Sequence, residues 1–519
     1  MKTNHFKKYK SLLRFAFLVV AAFVSSCNKT VDEPTLGASN PSSMDEGAGS
    51  WKPYILSSAG EIEVVAPKAV TSDYYKTEIT KLKGVVESIT PIQKEQVNYW
   101  AAGAVFRWNE IGRELAARYN TPPASTPDGK YPLPDAANPL ADPKFPFANP
   151  PYTARALAYL SVAQYDALVS AWNYKFKYNR KSPSKNDQSI KALLPVTDLP
   201  SYPSEDAVVA EASVVILKAM FPGEVPYLEA KLAEHKNSRM LAGMNVESDI
   251  LAGSDLGKAV AAKVMARAKA DGMGAANNQA KTAEMIANAK AIGTTEPWVS
   301  QEFPPRPPML PTYGSVQTWN FDKATLVKLR PVPPPAMGSA EFKKNMDELL
   351  DIAQNQTREQ AKIASFWSDG VGSYTPPGHW HRRAANLCRE NNFSEVRTAR
   401  TLALLGTTLQ DAGIACWDVK YYYYFPRPNQ VSKKIKTSVG LPNFPSYTSG
   451  HSTFSGAAAE LLAYVFPAEK QKLDAMAAEA SLSRIYGLIH YRFDCEVGLA
   501  VGHKVGEYAV ARAKADGAQ

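Results

Sequence analysis

Apolar residues recur at helical spacing along most of the chain, and the strict alternation typical of strands is scarce. In residues 155–172, for example, Leu157, Leu160, Ala163 and Leu168 fall on roughly one face of a helix. Similar patterns predict helices over five further segments: 208–220, 257–270, 395–417, 453–466 and 497–513. We therefore expect an all-α protein.

The chain also repeats itself at a fixed spacing of 245 residues. The segment 153–158 returns with one substitution at 398–403, and the segment 266–272 returns unchanged at 511–517. Matches at one offset over such a length indicate a tandem duplication. We expect two packed bundles of four to five helices each, related by a pseudo-twofold axis.

Composition divides the chain into five parts. A proposed tether is rich in small and acidic residues, and a proposed connector contains two proline-rich runs. The predicted parts are a signal peptide at 1–26, a flexible tether at 27–65, an N-terminal helical bundle at 66–272, a proline-rich connector at 273–340 and a C-terminal helical bundle at 341–519.

The first residues have the pattern of an export signal, in which basic residues precede a short apolar run at 15–24. That run is too short to span a bilayer comfortably as a permanent helix. Residues 24–27 resemble the lipobox of bacterial lipoproteins, in which Cys27 would be lipidated and become the mature N-terminus. Cleavage elsewhere or a plain anchor is the alternative. We expect an exported envelope lipoprotein that meets the membrane through its lipid anchor.

Composition, charge and cysteine content exclude several classes of protein. The 519 residues are 45% hydrophobic and 21% charged, which is typical of a globular protein. The net charge of +9 falls to +4 without residues 1–26, so we expect no nucleic-acid partner, although a local anion site is compatible with it. No apolar run beyond the signal is long enough for a multi-span membrane protein. We expect Cys388, Cys416 and Cys495 to be three buried thiols, with one bridge as the alternative.

The two copies differ where chemistry would be expected. The C-terminal residues and their N-terminal counterparts are Arg427 and Ser182, Gly450 and Glu205, His451 and Asp206, and His490 and Asn245. The acids introduced in the first copy would repel an anion. We infer that the N-terminal copy is inactive and structural, and that the C-terminal copy is catalytic.

The C-terminal copy combines three cations with the start of a predicted helix. Lys420, Arg427 and Arg484 suit a multiply charged tetrahedral oxyanion, since a guanidinium fork donates two hydrogen bonds at once. Ser449 and Gly450 precede an apolar helix, whose free N–H groups and macrodipole favour an anion.

Two histidines and a carboxylate complete the candidate site. Asp494, four residues after His490, would hold that imidazole in one tautomer, and His451 would act as a general acid or base. Arg484 and His490 are six residues apart and cannot share one helix face, so we expect a break between them. The stretch 376–381 contains two more histidines; we expect a structured loop there, with channel lining or a metal pair as alternatives.

Three blocks carry a resemblance to a known superfamily. They are Lys420 followed after six residues by Arg427-Pro428, then Ser449-Gly450-His451, then Ser483-Arg484 followed after five residues by His490 and after three more by Asp494. Their order and spacing resemble the signature of the vanadium haloperoxidase and type 2 phosphatidic acid phosphatase superfamily. Thr448 stands where the signature has proline. The resemblance implies a chloroperoxidase-like fold.

The resemblance also implies roles for these residues. His490 would ligate the vanadium of a vanadate cofactor, or bond to phosphorus in a phosphatase, with His451 as acid or base. The groups that would hold the oxyanion oxygens are Lys420, Arg427, Ser449, Gly450 and Arg484. Trp417 and Phe444 resemble residues that line a halide pocket, although Trp172 matches Trp417 in the inactive copy.

Two activities therefore compete, with a binding role as a third. The chain's length and its two bundles favour a vanadate-dependent haloperoxidase, which oxidises halide with hydrogen peroxide. The alternative is a soluble acid phosphatase that hydrolyses a phosphomonoester through a phospho-histidine, and phosphate would in either case compete for the site. A lipoprotein that binds an oxyanion without turnover is the third reading, against which two well-placed histidines argue.

Overall fold

The computed structural model describes residues 36–518, and residues from Ala38 onward form one compact unit. The predicted signal peptide, the lipidation at Cys27 and the first part of the tether lie outside the described residues. No β-strand occurs in the described part of the chain, and long helices dominate it. The prediction of an all-α protein is confirmed.

The N-terminal bundle follows an ordered segment that contains one 3₁₀ helix, Glu46–Ser50. Its α-helices are α1 (Asp73–Glu87), α2 (Pro91–Ala101), α3 (Ala104–Tyr119), α4 (Pro150–Tyr178), α5 (Pro183–Asn186), α6 (Glu205–Met220), α7 (Val225–Leu241) and α8 (Glu247–Ala270). A 3₁₀ turn at Pro222–Glu224 joins α6 to α7.

The connector is partly helical rather than wholly extended. It contains α9 (Thr282–Ala291), α10 (Lys323–Lys328) and 3₁₀ turns at Met273–Ala275, Gln279–Lys281 and Tyr313–Ser315.

The C-terminal bundle begins at the end of the connector. Its α-helices are α11 (Ala340–Asn355), α12 (Arg358–Phe366), α13 (Thr375–Glu390), α14 (Glu395–Tyr423), α15 (Pro428–Val431), α16 (Gly450–Val465), α17 (Lys470–Tyr486) and α18 (Arg492–Lys514), with a 3₁₀ turn at Pro467–Glu469.

Helices of the two bundles agree in length and position. Both α4 and α14 have 29 residues, α6 and α16 have 16 each, and α7 and α17 have 17 each. Each of these three C-terminal helices begins 245 residues after its counterpart. This agreement is what a duplication would produce, and the duplication itself stays a prediction.

The long helices α4 and α14 pack against each other in the centre of the molecule. Both are buried over most of their length. At their crossing the missing side chain of Gly406 lets the backbones approach, because a Cβ there would lie 2.9 Å from the Cα of Ala158. The two bundles thus share one continuous core, and the N-terminal bundle supports the C-terminal one.

Residues 38–65 differ from the expected flexible tether. Trp51, Leu56 and Val64 are buried. The carboxylate of Asp166 on α4 accepts hydrogen bonds from the backbone N–H groups of Tyr54 at 2.7 Å, Ile55 at 2.6 Å and Leu56 at 3.1 Å. The segment therefore packs on the bundle as an ordered strap.

The connector is held in the same way on the other bundle. Asp411 on α14 lies 245 residues after Asp166. Its carboxylate accepts the backbone N–H groups of Trp319 at 2.8 Å and Asn320 at 3.0 Å. Each central helix thus uses one buried carboxylate to hold the segment that precedes its bundle.

Two sequence expectations concern the membrane and the thiols. Within residues 36–518, no helix combines the length and apolar character needed to cross a membrane. Cys388, Cys416 and Cys495 are buried free thiols, as expected.

Glycines set the distance between α16 and α18. A Cβ at Gly502 would collide with the carbonyl oxygen of Thr453 and lie 2.9 Å from the Ala457 nitrogen. We predict that Gly502→Ala lowers the free energy of unfolding by about 1–3 kcal/mol, because the helices must separate. The matched control is Gly84→Ala in α1, where a Cβ meets nothing within 4 Å.

The control should be neutral or stabilising by up to about 1 kcal/mol, since alanine is the better helix former. Urea unfolding of both variants measures the two effects. Equal stability of Gly502→Ala and the wild type would contradict the tight crossing.

Candidate active site

The three sequence blocks meet at one end of the C-terminal bundle. Lys420 lies in the last turn of α14, and Arg427 directly precedes α15. Ser449 caps α16, so Gly450 and His451 form its first turn. Arg484 lies in the last turn of α17, and His490 lies in the loop before α18. The expected break between Arg484 and His490 is confirmed, because α17 ends at Tyr486.

His490 is held by a carboxylate. Its Nδ1 lies 2.8 Å from Asp494 Oδ2, and both side chains are buried. Ser446 Oγ and the Tyr491 backbone N–H also donate to that oxygen. With Nδ1–H donating to the carboxylate, Nε2 carries the free lone pair. Burial and the charge of Arg427 hold the pKa of His490 well below its usual value, so the ring is neutral.

The Nε2 side of His490 faces Arg427, whose Nη1 lies 3.4 Å away. This guanidinium is fully buried; its Nε donates to the Phe444 carbonyl at 3.0 Å, and Nη1 donates to the Ile489 carbonyl at 2.7 Å. Nη2 is buried and has no hydrogen-bond partner in the described structure. Burial lowers the pKa of Arg427 to about 10, so it stays charged at neutral pH.

Arg484 is a second buried guanidinium, 1% exposed. Its Nε donates to Ser483 Oγ at 2.9 Å, and Nη2 donates to the Ala364 carbonyl at 3.2 Å. Neither arginine, nor Lys420, has a carboxylate oxygen within 4.0 Å among the described residues, and the nearby Asp494 is engaged by His490. Buried charges without a counter-charge are costly. The site therefore has the charge balance of one that takes up an anion.

Lys420 makes contacts that the sequence did not indicate. Its Nζ donates to the backbone carbonyls of Pro445 at 2.9 Å, Ser446 at 2.8 Å and Thr448 at 2.5 Å. All three ammonium hydrogens are thus used by the loop before α16. Lys420 was expected to hold an oxyanion oxygen directly; here it positions that loop and contributes positive charge. Thr448 can replace the proline of the signature because the contact uses only its carbonyl.

The first turn of α16 is open towards this cluster. A Cβ at Gly450 would meet only the Trp417 ring, at 4.0 Å. Ser449 Oγ accepts from the Ser452 N–H at 3.3 Å, and the first N–H groups of a helix have no acceptor within it. This helix end can therefore donate to an anion.

His451 lies at the exposed edge of the cluster, with its side chain 16% exposed. Its Nε2 has no hydrogen-bond partner among residues 36–518 and lies 3.8 Å from Asp369 Oδ2. The ring also bonds to the Trp367 backbone. Burial and the charge of Arg484 keep the pKa of His451 well below its usual value, so the ring is neutral.

Asp369 joins the site without a sequence signal, together with His379 from the stretch 376–381. Asp369 Oδ1 lies 3.3 Å from His379 Nδ1, and the His379 ring stacks on Trp367 at 4.4 Å. The stretch 376–381 is the first part of α13, so the expected loop is wrong. His381 turns away and contacts Asn109 at 3.1 Å, which excludes a metal pair with His379.

The Phe444 ring lies beside two of the cations and packs on Trp417. The Trp417 and Phe444 rings lie 4.8 Å apart between centroids. Lys420 Nζ lies 5.0 Å and Arg427 Cζ 5.2 Å from the centre of the Phe444 ring. Cation–π attraction stabilises both charges in this buried position.

The equivalent positions in the N-terminal bundle are paired internally. Lys175, the counterpart of Lys420, lies 2.6 Å from Glu205, and Arg239, the counterpart of Arg484, lies 3.7 Å from Asp206. These carboxylates stand where the C-terminal bundle has Gly450 and His451. The N-terminal cluster therefore carries its own counter-charges and needs no bound anion, which supports a structural role.

Comparison with known proteins identifies the C-terminal bundle. Residues 401–511 match the family model described as PAP2 superfamily. They form a PAP2 superfamily domain. No curated protein matches the chain significantly.

Solved structures match a larger part of the chain. The first bacterial vanadium-dependent iodoperoxidase has a TM-score of 0.55 and 25% identity, over 70% of this chain and 91% of its own. A holo-type bacterial vanadium-dependent chloroperoxidase has a TM-score of 0.50 and 14% identity, over 74% of this chain and 96% of its own, and shows the fold alone. The chain has the all-α fold of these enzymes and fits the haloperoxidase-like branch of the superfamily.

An oxyanion should stabilise the PAP2 domain. We predict that orthophosphate at about 100 times its dissociation constant raises the free energy of unfolding by about 2.7 kcal/mol. Arg484→Gln should abolish that increment, while Arg239→Gln at the equivalent N-terminal position should retain it. Chemical unfolding with and without phosphate measures the increment in each protein. An unchanged increment in Arg484→Gln would contradict the assignment of the site.

Proposed function

We propose that the protein is a vanadate-dependent haloperoxidase that oxidises halide with hydrogen peroxide. The observation that carries this proposal is a set of buried cations around the unprotonated Nε2 of His490, with no carboxylate oxygen within 4.0 Å of them among residues 36–518. The two-bundle fold and the likeness to a bacterial iodoperoxidase favour this activity over others of the superfamily.

The residues present fit vanadate. Unpartnered donors such as Arg427 Nη2 match an oxyanion, whereas the described residues contain no group of three or more His, Cys, Asp or Glu side chains that could hold a metal cation. His490 Nε2 would be the ligand to vanadium. The groups that would hold its oxygens or balance their charge are Lys420, Arg427, Ser449, Gly450 and Arg484. When bound, vanadate supplies the Lewis acidity that activates hydrogen peroxide.

The remaining chemistry is proton movement and positioning by this chain. The neutral Nε2 of His451 would accept a proton from the incoming hydrogen peroxide and return it to the oxygen that leaves as water. Asp494 keeps the proton of His490 on Nδ1, so Nε2 stays available. Trp417 and Phe444 form the wall proposed for the halide, beside the cations that would attract it.

A phosphatase is the second candidate, because the family model matches the catalytic bundle and phosphate has the same tetrahedral shape. In that reaction His490 Nε2 attacks phosphorus and displaces the alcohol, whose oxygen takes a proton from protonated His451. Water then releases phosphate from the histidine. In both candidate reactions His451 must bind a proton, which its lowered pKa opposes equally, so this shift does not decide between them.

Halide oxidation is the first test. The protein comprising residues 28–519 would be incubated with hydrogen peroxide and either bromide or iodide in phosphate-free buffer, with and without orthovanadate. We expect oxidation that depends on vanadate, that falls to background in His490→Ala, and that persists in Asn245→Ala at the equivalent N-terminal position.

Absence of oxidation with both halides would contradict the haloperoxidase. Phosphomonoester hydrolysis that vanadate inhibits would then identify a phosphatase. Binding of phosphate without either reaction would leave an oxyanion-binding protein.

A further inference from the structure

Asn120 of the N-terminal bundle reaches into the C-terminal bundle. It follows the last residue of α3 and is 5% exposed. Its Nδ2 donates to the backbone carbonyls of Gly370 at 2.8 Å and Ser373 at 3.1 Å. The backbone carbonyl of Asn120 accepts a hydrogen bond from the Gly372 N–H at 3.0 Å. Three hydrogen bonds from one residue thus hold the segment 367–374, which we call the His451 loop.

The Asn120 hydrogen bonds reach the most exposed part of the His451 loop. The loop joins α12 to α13 without regular structure, and Val371 at its tip is 70% exposed. Its first residue, Trp367, is buried, and the Ser373 backbone N–H and Oγ donate to the Gly370 carbonyl at 3.0 and 2.7 Å. Asp369 adopts φ 42° and Gly372 φ 77°, both in the left-handed region. The contacts from Asn120 therefore add to the turn that the exposed tip forms itself.

The same loop provides the polar surroundings of His451. The Trp367 backbone bonds to the His451 ring, and Asp369 Oδ2 lies 3.8 Å from its Nε2. Asp369 also contacts His379, which stacks on Trp367. Movement of the loop would therefore move the groups that orient the proton-accepting ring. The groups proposed to hold the oxyanion lie outside this loop. Of these groups, Arg484 comes near it, because its Nη2 donates to the carbonyl of Ala364 on the preceding helix α12.

We propose that Asn120 is a positioning residue for His451, acting through the His451 loop. The N-terminal bundle then has a second role: besides supporting the core, it supplies the contact that aligns the acid–base group of the other bundle. This inference rests on the proposed function of His451. It explains why a buried asparagine at a helix end donates both of its side-chain amide hydrogens to carbonyls of the C-terminal bundle.

The test uses Asn120→Ala and Asn120→Asp in the same protein. Asp has the shape of Asn, but its carboxylate cannot donate to the Gly370 and Ser373 carbonyls. We expect faster amide hydrogen exchange at 368–374 in both variants and a kcat lowered by about tenfold, because misplacement of a catalytic group is costly. The increase in the free energy of unfolding that orthophosphate causes should stay within about twofold of the wild-type value, since the groups proposed to hold the oxyanion are intact.

Two controls separate positioning from general destabilisation. Asn149 caps α4 in the same bundle, where its Oδ1 accepts the Tyr152 N–H at 3.0 Å. It forms no hydrogen bond with the His451 loop within residues 36–518. Asn149→Ala should lower stability but leave kcat and loop exchange unchanged. In a His451→Ala background, Asn120→Ala should not lower the residual kcat further, because its effect passes through that ring.

The outcomes are distinct. Unchanged loop exchange and unchanged kcat in Asn120→Ala would overturn the proposal, as would an equal further loss of kcat in the His451→Ala background. Turnover is measured with halide and with a phosphomonoester, so the proposal is tested on whichever reaction the wild type performs. A wild type that turns over neither substrate would overturn the proposed function, and the positioning role with it.

Discussion

The structure depends on buried positive charge that its own carboxylates do not balance. Lys420, Arg427 and Arg484 lie at one end of the C-terminal bundle without an acidic partner, while Asp494 is engaged by His490. Burying charge in this way costs free energy that a well-packed fold must supply or a bound anion must offset. The break between α17 and α18 and the first turn of α16 direct further donors to the same place. On the proposed function, this cost in stability serves the binding of an anion.

The N-terminal bundle has the same arrangement of helices, but its buried cations are paired with carboxylates. Glu205 and Asp206 occupy the positions of Gly450 and His451 and pair with Lys175 and Arg239. This half is therefore free to act as support. It packs α4 along α14, and its buried Asp166 holds the N-terminal segment as Asp411 holds the connector.

Local patterns predicted much of this molecule. Helical periodicity located the long helices, and the spacing of Arg484 and His490 predicted the break between them. The sequence could not show contacts made by backbone groups far along the chain, such as the three carbonyls around Lys420 or the packing of residues 38–65. Asp369 lies 82 residues before His451 and was missed, because a lone aspartate near no signature residue carries no local signal.

The central claim is that one half of the chain binds a tetrahedral oxyanion and the other does not. Equilibrium dialysis of the protein against orthovanadate, with vanadium counted per chain, tests it directly. The account predicts one equivalent per chain in the wild type and in Lys175→Met, and none in Arg427→Met. No binding in the wild type would contradict the claim, and two equivalents would show that the N-terminal bundle also has a working site.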